Sequence, residues 1–475
     1  MDKFFGITER NSTIRTEIIG GITTFFALAY IVFVAPNQVA ADGPGGWLVA
    51  EGADPVVMGR IWNAVFIASI LAAAVGTLVM AFYAKLPFAQ ACGMGLNSFF
   101  CTCFVAGAYF AGVDVLQGYQ SGLVIILLSG IIFLIMSVTG VRQLIARSMP
   151  DCLKKSISAG IGLFIALVGM KGAGVITANP YTLVSFVDIH GLGWEATAPA
   201  LTALIGFLII AVLAKRNIKG NVLIGIIAST IIYYIFMREI PVIDFANIGQ
   251  SFRDFGAIGI GAVFSKSAWE GAFFGANIGG IFSGIALIIS FTLVDMFDTL
   301  GTLYGTAAQA DMLDEKGDPV NLDKAMMSDS VGTTVGALLG TSTITTFVES
   351  TAGVASGAKT GLASVVTSIC LLLCLFISPL ASIIPSAATA PALIYVGVLM
   401  MQNFSKVDMQ DLNSAVPAFL TLLMMPLTYS ISNGIGIGAI AYVIMQIFTG
   451  KFTKNDIIVT VIAIFFVLKF VTVSM

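Results

Sequence analysis

Charge and histidine are both scarce in this chain. Only 10% of its 475 residues are Asp, Glu, Lys or Arg, and His190 is the single histidine. No basic tract, zinc-type spacing or nucleic-acid motif occurs, so a nucleic-acid partner is excluded on charge. The six cysteines, Cys92, Cys101, Cys103, Cys152, Cys370 and Cys374, lie in or beside apolar runs. That placement argues against a disulfide framework and against a metal site. His190 falls in a polar connector and reads as a solvated surface residue. With no histidine at membrane depth, no nucleophile–base pair and no metal spacing, a membrane enzyme is disfavoured. No cofactor is implied.

What remains is apolar. The sequence is 57% hydrophobic with a mean hydropathy of +0.97, and its runs approach the ~20 residues that a bilayer crossing needs. The fold class is an all-α polytopic membrane protein. Spans are expected at about 18–37, 61–83, 88–110, 121–140, 153–171, 197–214 and 221–237. A second set follows at 280–304, 326–340, 342–364, 366–384, 389–402, 412–429 and 432–449. The first run is too long for a signal-peptide core and reads as a span. The run 456–472 fits either a further span or an interfacial helix. With residues 1–17 in the cytoplasm and the sides alternating, only Arg60, Lys171, Arg238, Arg253 and Lys266 of the 23 Lys and Arg fall outside. Lys469 is unassigned. This bias supports an N-terminus-inside orientation in an inner (cytoplasmic) membrane.

Seven spans per half make the second half enter the membrane from the opposite side. In each half the third span is broken. In the first it reads PFAQACGMGLNS (87–98), where Gly93 and Gly95 weaken a helix and Asn97 or Ser98 can cap the next one. In the second it is GTSTITTFVESTAGVASGAKTGLAS (340–364). Thr341 to Val348 is β-branched and hydroxylated, which suits an extended segment, and small residues follow at helical spacing. Broken segments at matching positions point to an inverted-repeat transporter with its site at the midplane. The alternatives are glycine-rich helix contacts or an interfacial loop.

Carboxylates mark the same region. Glu349 sits at the break of 340–364. Asp295 and Asp298 lie three apart in IALIISFTLVDMFDTLGTLYGTA (285–307), on one helix face that Thr299 and Thr302 extend. Each ionised Asp would cost about 2.5–3.5 kcal/mol at the centre of a lipid-exposed helix, so both need partners, water or a shared proton. Thr23, Thr24 and Tyr30 either line a cavity or back-bond to their own helix. Phe26, Phe88, Phe99, Phe297 and Phe347 are stacking candidates among 35 Phe. The acidic loop 310–325 lacks the spacing of a calcium site. The candidate substrate-binding set is Asn97, Asp295, Asp298 and Glu349, with the backbone of Thr346, Phe347 and Val348. Asp298 and Glu349 are the candidates for proton coupling. Acids that accept N–H groups, an Asn that donates and accepts, and exposed amides suit a small, neutral, flat ligand.

At these residues the chain resembles the AzgA-like purine permeases, a branch of the nucleobase–cation symporter superfamily. The matching motifs are TEIIGGITTFFALAYIVFVAPN (16–37), GMGLNSFF (93–100), VDMFDTLGTLYGTAAQADMLD (294–314), TTFVESTAGVASGAKTGL (345–362) and PSAATAPALIYVGVLMM (385–401). The resemblance implies fourteen spans as a 7+7 inverted repeat, with short antiparallel strands at spans 3 and 10. It implies a core (transport) domain of 18–145 and 280–384 and a gate domain of 150–238 and 385–450. An extracytoplasmic connector, 239–279, and a C-terminal tail, 451–475, complete the chain. It further implies a purine nucleobase (adenine, guanine or hypoxanthine) as substrate, proton symport, and contacts from Asn97, Asp295 and Glu349 with Asp298 needed for transport. The uracil permease branch instead matches Asp298 to the substrate-binding acid, and it has a coupling histidine where this chain has Thr302. The family resemblance favours a homodimer in the bilayer. The rival functions are a passive facilitator or channel, and a uracil, ascorbate or anion transporter on the same scaffold.

Overall fold

A computed structural model describes residues 2–472 apart from 141–144, 146–147, 180, 192, 242–244, 246, 275–279, 310–311, 314–318, 403 and 455. Part of the acidic loop, and Arg142, Arg147, Asp244 and Lys316, lie outside the described residues.

The chain is mostly helical, and polar residues set where its helices start. α1 (Ile14–Leu28) and α2 (Ile31–Val39) form the first span, with a turn at Ala29 and Tyr30 where one continuous helix was expected. α3 (Pro55–Val79) starts with proline behind an Asp54 carboxylate that accepts from Val56 N at 2.8 Å. Strand β1 (Gln90–Cys92) then leads into α4 (Met94–Phe100). α5 (Val115–Thr139), α6 (Asp151–Gly172), the hairpin β2–β3 (Ile176–Asn179, Leu183–Phe186), α7 (Trp194–Lys215) and α8 (Asn221–Met237) complete the first half. His190 is exposed beyond the hairpin. The connector contains a helix of its own, α9 (Asn247–Asp254), pinned to α3 by Asn63 Nδ2 donating to Asp254 at 2.8 Å.

The second half contains α10 (Ile281–Gln309), α11 (Leu322–Leu339), strand β4 (Ile344–Thr346), α12 (Ser350–Ala355), α13 (Gly361–Leu373), α14 (Ser386–Met401), α15 (Leu412–Leu427) and α16 (Ile431–Phe448). The expected span 342–364 is corrected here. Its helical part is only six residues, and 361–364 already belong to the next helix. Gly357, at φ +99°, closes α12, and the Thr360 hydroxyl caps α13 by accepting from Leu362 N at 3.3 Å. The last helix, α17 (Asp456–Thr472), packs along α16 with Phe466 fully buried.

Among the described residues, nine helical stretches are long and apolar enough to cross a membrane, and three shorter apolar helices accompany them. They pack in two sets. α1, α3, α5, α10, α11 and α13 contact one another, while α6, α7, α8, α14, α15 and α16 form the other set. α6 meets α4 and α10 where the sets adjoin. Small residues bring backbones close, as membrane packing requires. A Cβ on Gly162 of α6 or Gly397 of α14 would stand 2.9 or 2.6 Å from the other's carbonyl oxygen.

Candidate substrate site

The two broken segments meet each other. β1 and β4 pair antiparallel, Gln90 opposite Thr346 and Cys92 opposite Ile344, so strands from the two halves satisfy each other's backbone inside the bundle. The pairing runs past both ends: Phe347 N donates to Ala89 O at 3.0 Å, and Gly93 N to Thr343 O at 3.1 Å. α4 and α12 leave this joint in turn. The Thr77 hydroxyl of α3 accepts from Gln90 N (2.9 Å) and donates to Gln90 O (3.1 Å), anchoring the edge of β1.

Asp295 and Asp298 fall into different surroundings. Asp295 is fully buried, and its Oδ2 accepts from the Thr333 hydroxyl of α11 at 2.9 Å. That hydroxyl also accepts from Ile344 N at 3.1 Å, so Asp295 is tied into the foot of β4. Asp298 is half-buried and lies within electrostatic reach of Glu349. Glu349, half-buried at the start of α12, accepts from the Tyr30 hydroxyl at 2.6 Å. Tyr30 occupies the turn between α1 and α2, and its side chain reaches across to the acid instead of back-bonding. Val348 beside it is exposed, whereas Phe347 is buried. Thr346 is also buried and donates to a carboxylate, Asp329, at 3.0 Å.

Asp329 escaped the sequence reading. It is fully buried on α11 and gathers the joint: Gln90 Nε2 donates to it at 2.6 Å, and the hydroxyls of Thr346 and Thr299 donate as well. Its signal was present as an acid inside an expected span. Its neighbours Ser328, Ser330 and Thr333 made it look like one more polar position on a helix face.

Asn97 is buried on α4. Its Oδ1 accepts from the Ser342 hydroxyl, and its Nδ2 donates to Gln38 Oε1 at 3.2 Å. Gln38 in turn donates to Ser98 Oγ at 3.0 Å. Gln38 and Ser98 also line a cavity of about 40 Å³, together with Asn37, Asp42, Cys101, Lys171 and Tyr429. Burial pushes the Asp42 carboxyl, in the connector after α2, up to about 7. Of the stacking candidates, Phe99 pairs with Phe291 at a ring separation of 4.7 Å, Phe88 and Phe297 are buried, and Phe26 is exposed. The two groups best placed to meet a ligand's N–H groups are Asp298 and Glu349, since both stay partly open next to the strand joint.

Known proteins resemble this chain in fold and in sequence. The chain is 14% identical to the transmembrane domain of the cyanobacterial bicarbonate transporter BicA, with a TM-score of 0.60 over 88% of this chain and 97% of that one. That likeness is one of fold. It is 36% identical to the adenine permease AdeP of Escherichia coli, covering 100% of this chain and 96% of that protein. It is 38% identical to the guanine/hypoxanthine permease PbuG of Bacillus subtilis, covering 99% of each. These relatives are permeases and not enzymes. The family model described as Permease family (Xan_ur_permease) matches residues 15–437, so this multi-pass membrane protein belongs to that permease family, in company with the adenine and guanine/hypoxanthine permeases.

Proposed function

We propose that the protein imports purine nucleobases by proton symport with alternating access. The observation that carries this reading is the pair of partly open acids, Asp298 and Glu349, at the end of a strand joint buried in the bundle. The names of the relatives, adenine permease and guanine/hypoxanthine permease, supply the substrate class. Glu349, steadied by Tyr30, accepts one N–H of the base and Asp298 another. Asn97 contributes through the Gln38 network, and the backbone of Thr346, Phe347 and Val348 borders the site. Of the two aspartates, Asp298 is assigned to the substrate and Asp295 to holding β4, because Asp295 is enclosed and tied to Thr333. A carboxylate at membrane depth is a natural proton carrier, and Asp298 or Glu349 takes that role.

The two helix sets correspond to a core, 18–145 and 280–384, that moves against a gate, 150–238 and 385–450. A strand that leads into a helix at matching positions of each half supports a 7+7 inverted repeat. The Lys and Arg distribution supports an N-terminus inside and an inner-membrane location. The family resemblance favours a homodimer.

The test is uptake of radiolabelled adenine, guanine, hypoxanthine and uracil into cells or proteoliposomes, with and without a protonophore. Saturable, concentrative purine uptake that collapses with the protonophore is expected. Non-concentrative flux that ignores the gradient would instead identify a facilitator, and uracil as the sole substrate would reassign the specificity.

A further inference from the structure

The 40 Å³ cavity above Gln38 has a roof that the site itself does not explain. Lys171, exposed at the end of α6, holds its ammonium 4.7 Å from the Trp47 ring and 4.9 Å from the Tyr429 ring. Both distances lie inside the range of cation–π attraction. Trp47 and Asp42 follow the first span. Lys171 and Tyr429 belong to the other helix set, at the end of α6 and in the turn between α15 and α16. One cation therefore bridges the two sets at the end of the bundle that the first span reaches. Beneath it the cavity floor is Gln38 and Ser98, one hydrogen bond from Asn97. At about 40 Å³ the space suits a few waters; an enclosed cavity that admits benzene is nearer ~150 Å³.

We propose that Lys171, Trp47 and Tyr429 form a cap that closes the substrate path at this end, with the cavity beneath them as a collapsed vestibule leading to Asn97. The cap holds while the ammonium sits over both rings. When the two helix sets move apart, Lys171 and Tyr429 leave with one and Trp47 stays with the other. The vestibule then widens enough to admit a flat heterocycle, whose faces the freed rings can stack upon. This assignment rests on the transport reading for its ligand, but not for its opening and closing.

Cys101 lines the same cavity and is only 4% exposed, which makes it a native reporter. A chain keeping Cys101 with the other five cysteines replaced is reconstituted and treated with a membrane-impermeant methanethiosulfonate, without substrate. Lys171→Ala is expected to raise the rate of Cys101 modification about ten-fold, equivalent to ~1.4 kcal/mol of closed-state preference. Lys171→Arg, which keeps a cation over the rings, is expected to restore slow modification. Trp47→Leu serves as a second opening variant if Lys171→Ala expresses poorly. Modification as slow in Lys171→Ala and Trp47→Leu as in the parent would overturn the cap, as would an Arg variant as fast as Ala. Excess adenine, guanine or hypoxanthine should then protect Cys101 in the opened variant. A fast-labelling variant that no purine protects would leave the cap standing and count against the purine reading.

Discussion

Asp295 and Asp298 stand less than one helical turn apart on α10, yet they live in opposite settings. Asp295 is sealed against Thr333 and the start of β4, while Asp298 stays half-buried within electrostatic reach of Glu349. The same division separates two acids of the second half. Asp329 is enclosed by donors from Gln90, Thr346 and Thr299, whereas Glu349 has Tyr30 on one oxygen and remains half-buried. A carboxylate at membrane depth therefore has two distinct uses here. Enclosed acids fasten β1 and β4 to the helices that carry them, and partly open acids remain available to a ligand. Residue type and spacing do not distinguish the two uses, because the distinction lies in partners distant along the chain.

Removing an enclosed acid should hurt the fold most. Asp329→Ala leaves three buried donors without their acceptor, at about 1–3 kcal/mol each. A loss of about 3 kcal/mol or more is expected, read as a lower melting temperature and poor yield in detergent. If Asp329→Ala melts like the parent, the joint is held by something else. Replacing a partly open acid should do the reverse. Asp298→Asn and Glu349→Gln are expected to cut proton-driven purine uptake about 100-fold, ~2.7 kcal/mol, with melting close to the parent. Intact concentrative uptake in both variants would remove the distinction between the two kinds of acid.

Tyr30→Phe tests how far Glu349 depends on its support. Loss of a hydrogen bond to a charged group is worth about 1.5–3 kcal/mol of stability, so the melting temperature should fall, and with Glu349 no longer held in place binding measured by calorimetry should weaken about ten-fold. An unchanged affinity would mean that Tyr30 is a bystander. The smallest effect is expected from Thr299→Val, which removes one donor of several to Asp329. Interhelical hydrogen bonds in membranes average about 0.6 kcal/mol and reach about 1.7. A slightly lowered melting temperature with normal uptake is expected, and a transport defect without a stability loss would move Thr299 to the ligand side.

Much of this was readable in the chain. The β-branched run before Glu349 and the glycines after Cys92 announced the breaks, and the structure has a strand at each, followed by a helix that is short only in the second half. Glu349, Asp295 and Asp298 were conspicuous as acids inside apolar runs. The bond from Tyr30 to Glu349 was not readable, because the partners lie 319 residues apart. Nor was the role of Asp329, whose contact with Gln90 spans 239 residues. The end of α12 was legible in principle. Gly357 and Thr360 are ordinary stop and start signals, but the small residues on both sides of them made the run look continuous. Lys171 entered the sequence reading only as a charge counted toward orientation. Its two aromatic partners come from separate connectors, which no local pattern links.

The strand joint also has a bearing on how the molecule is made. Ala89 and Ser350 touch across 261 residues, and every rung between β1 and β4 spans a similar distance. A growing chain carries β1 into the membrane long before β4 has been synthesised. Until then the backbone of β1 has only local help, which the Thr77 hydroxyl gives to Gln90. The unpaired strand is a site for wrong pairing during biogenesis, because the Thr77 hydroxyl covers only the edge of β1 that faces away from β4. The candidate site is consequently among the last parts of the molecule to be completed, and a chain truncated before β4 can insert helices without ever assembling it.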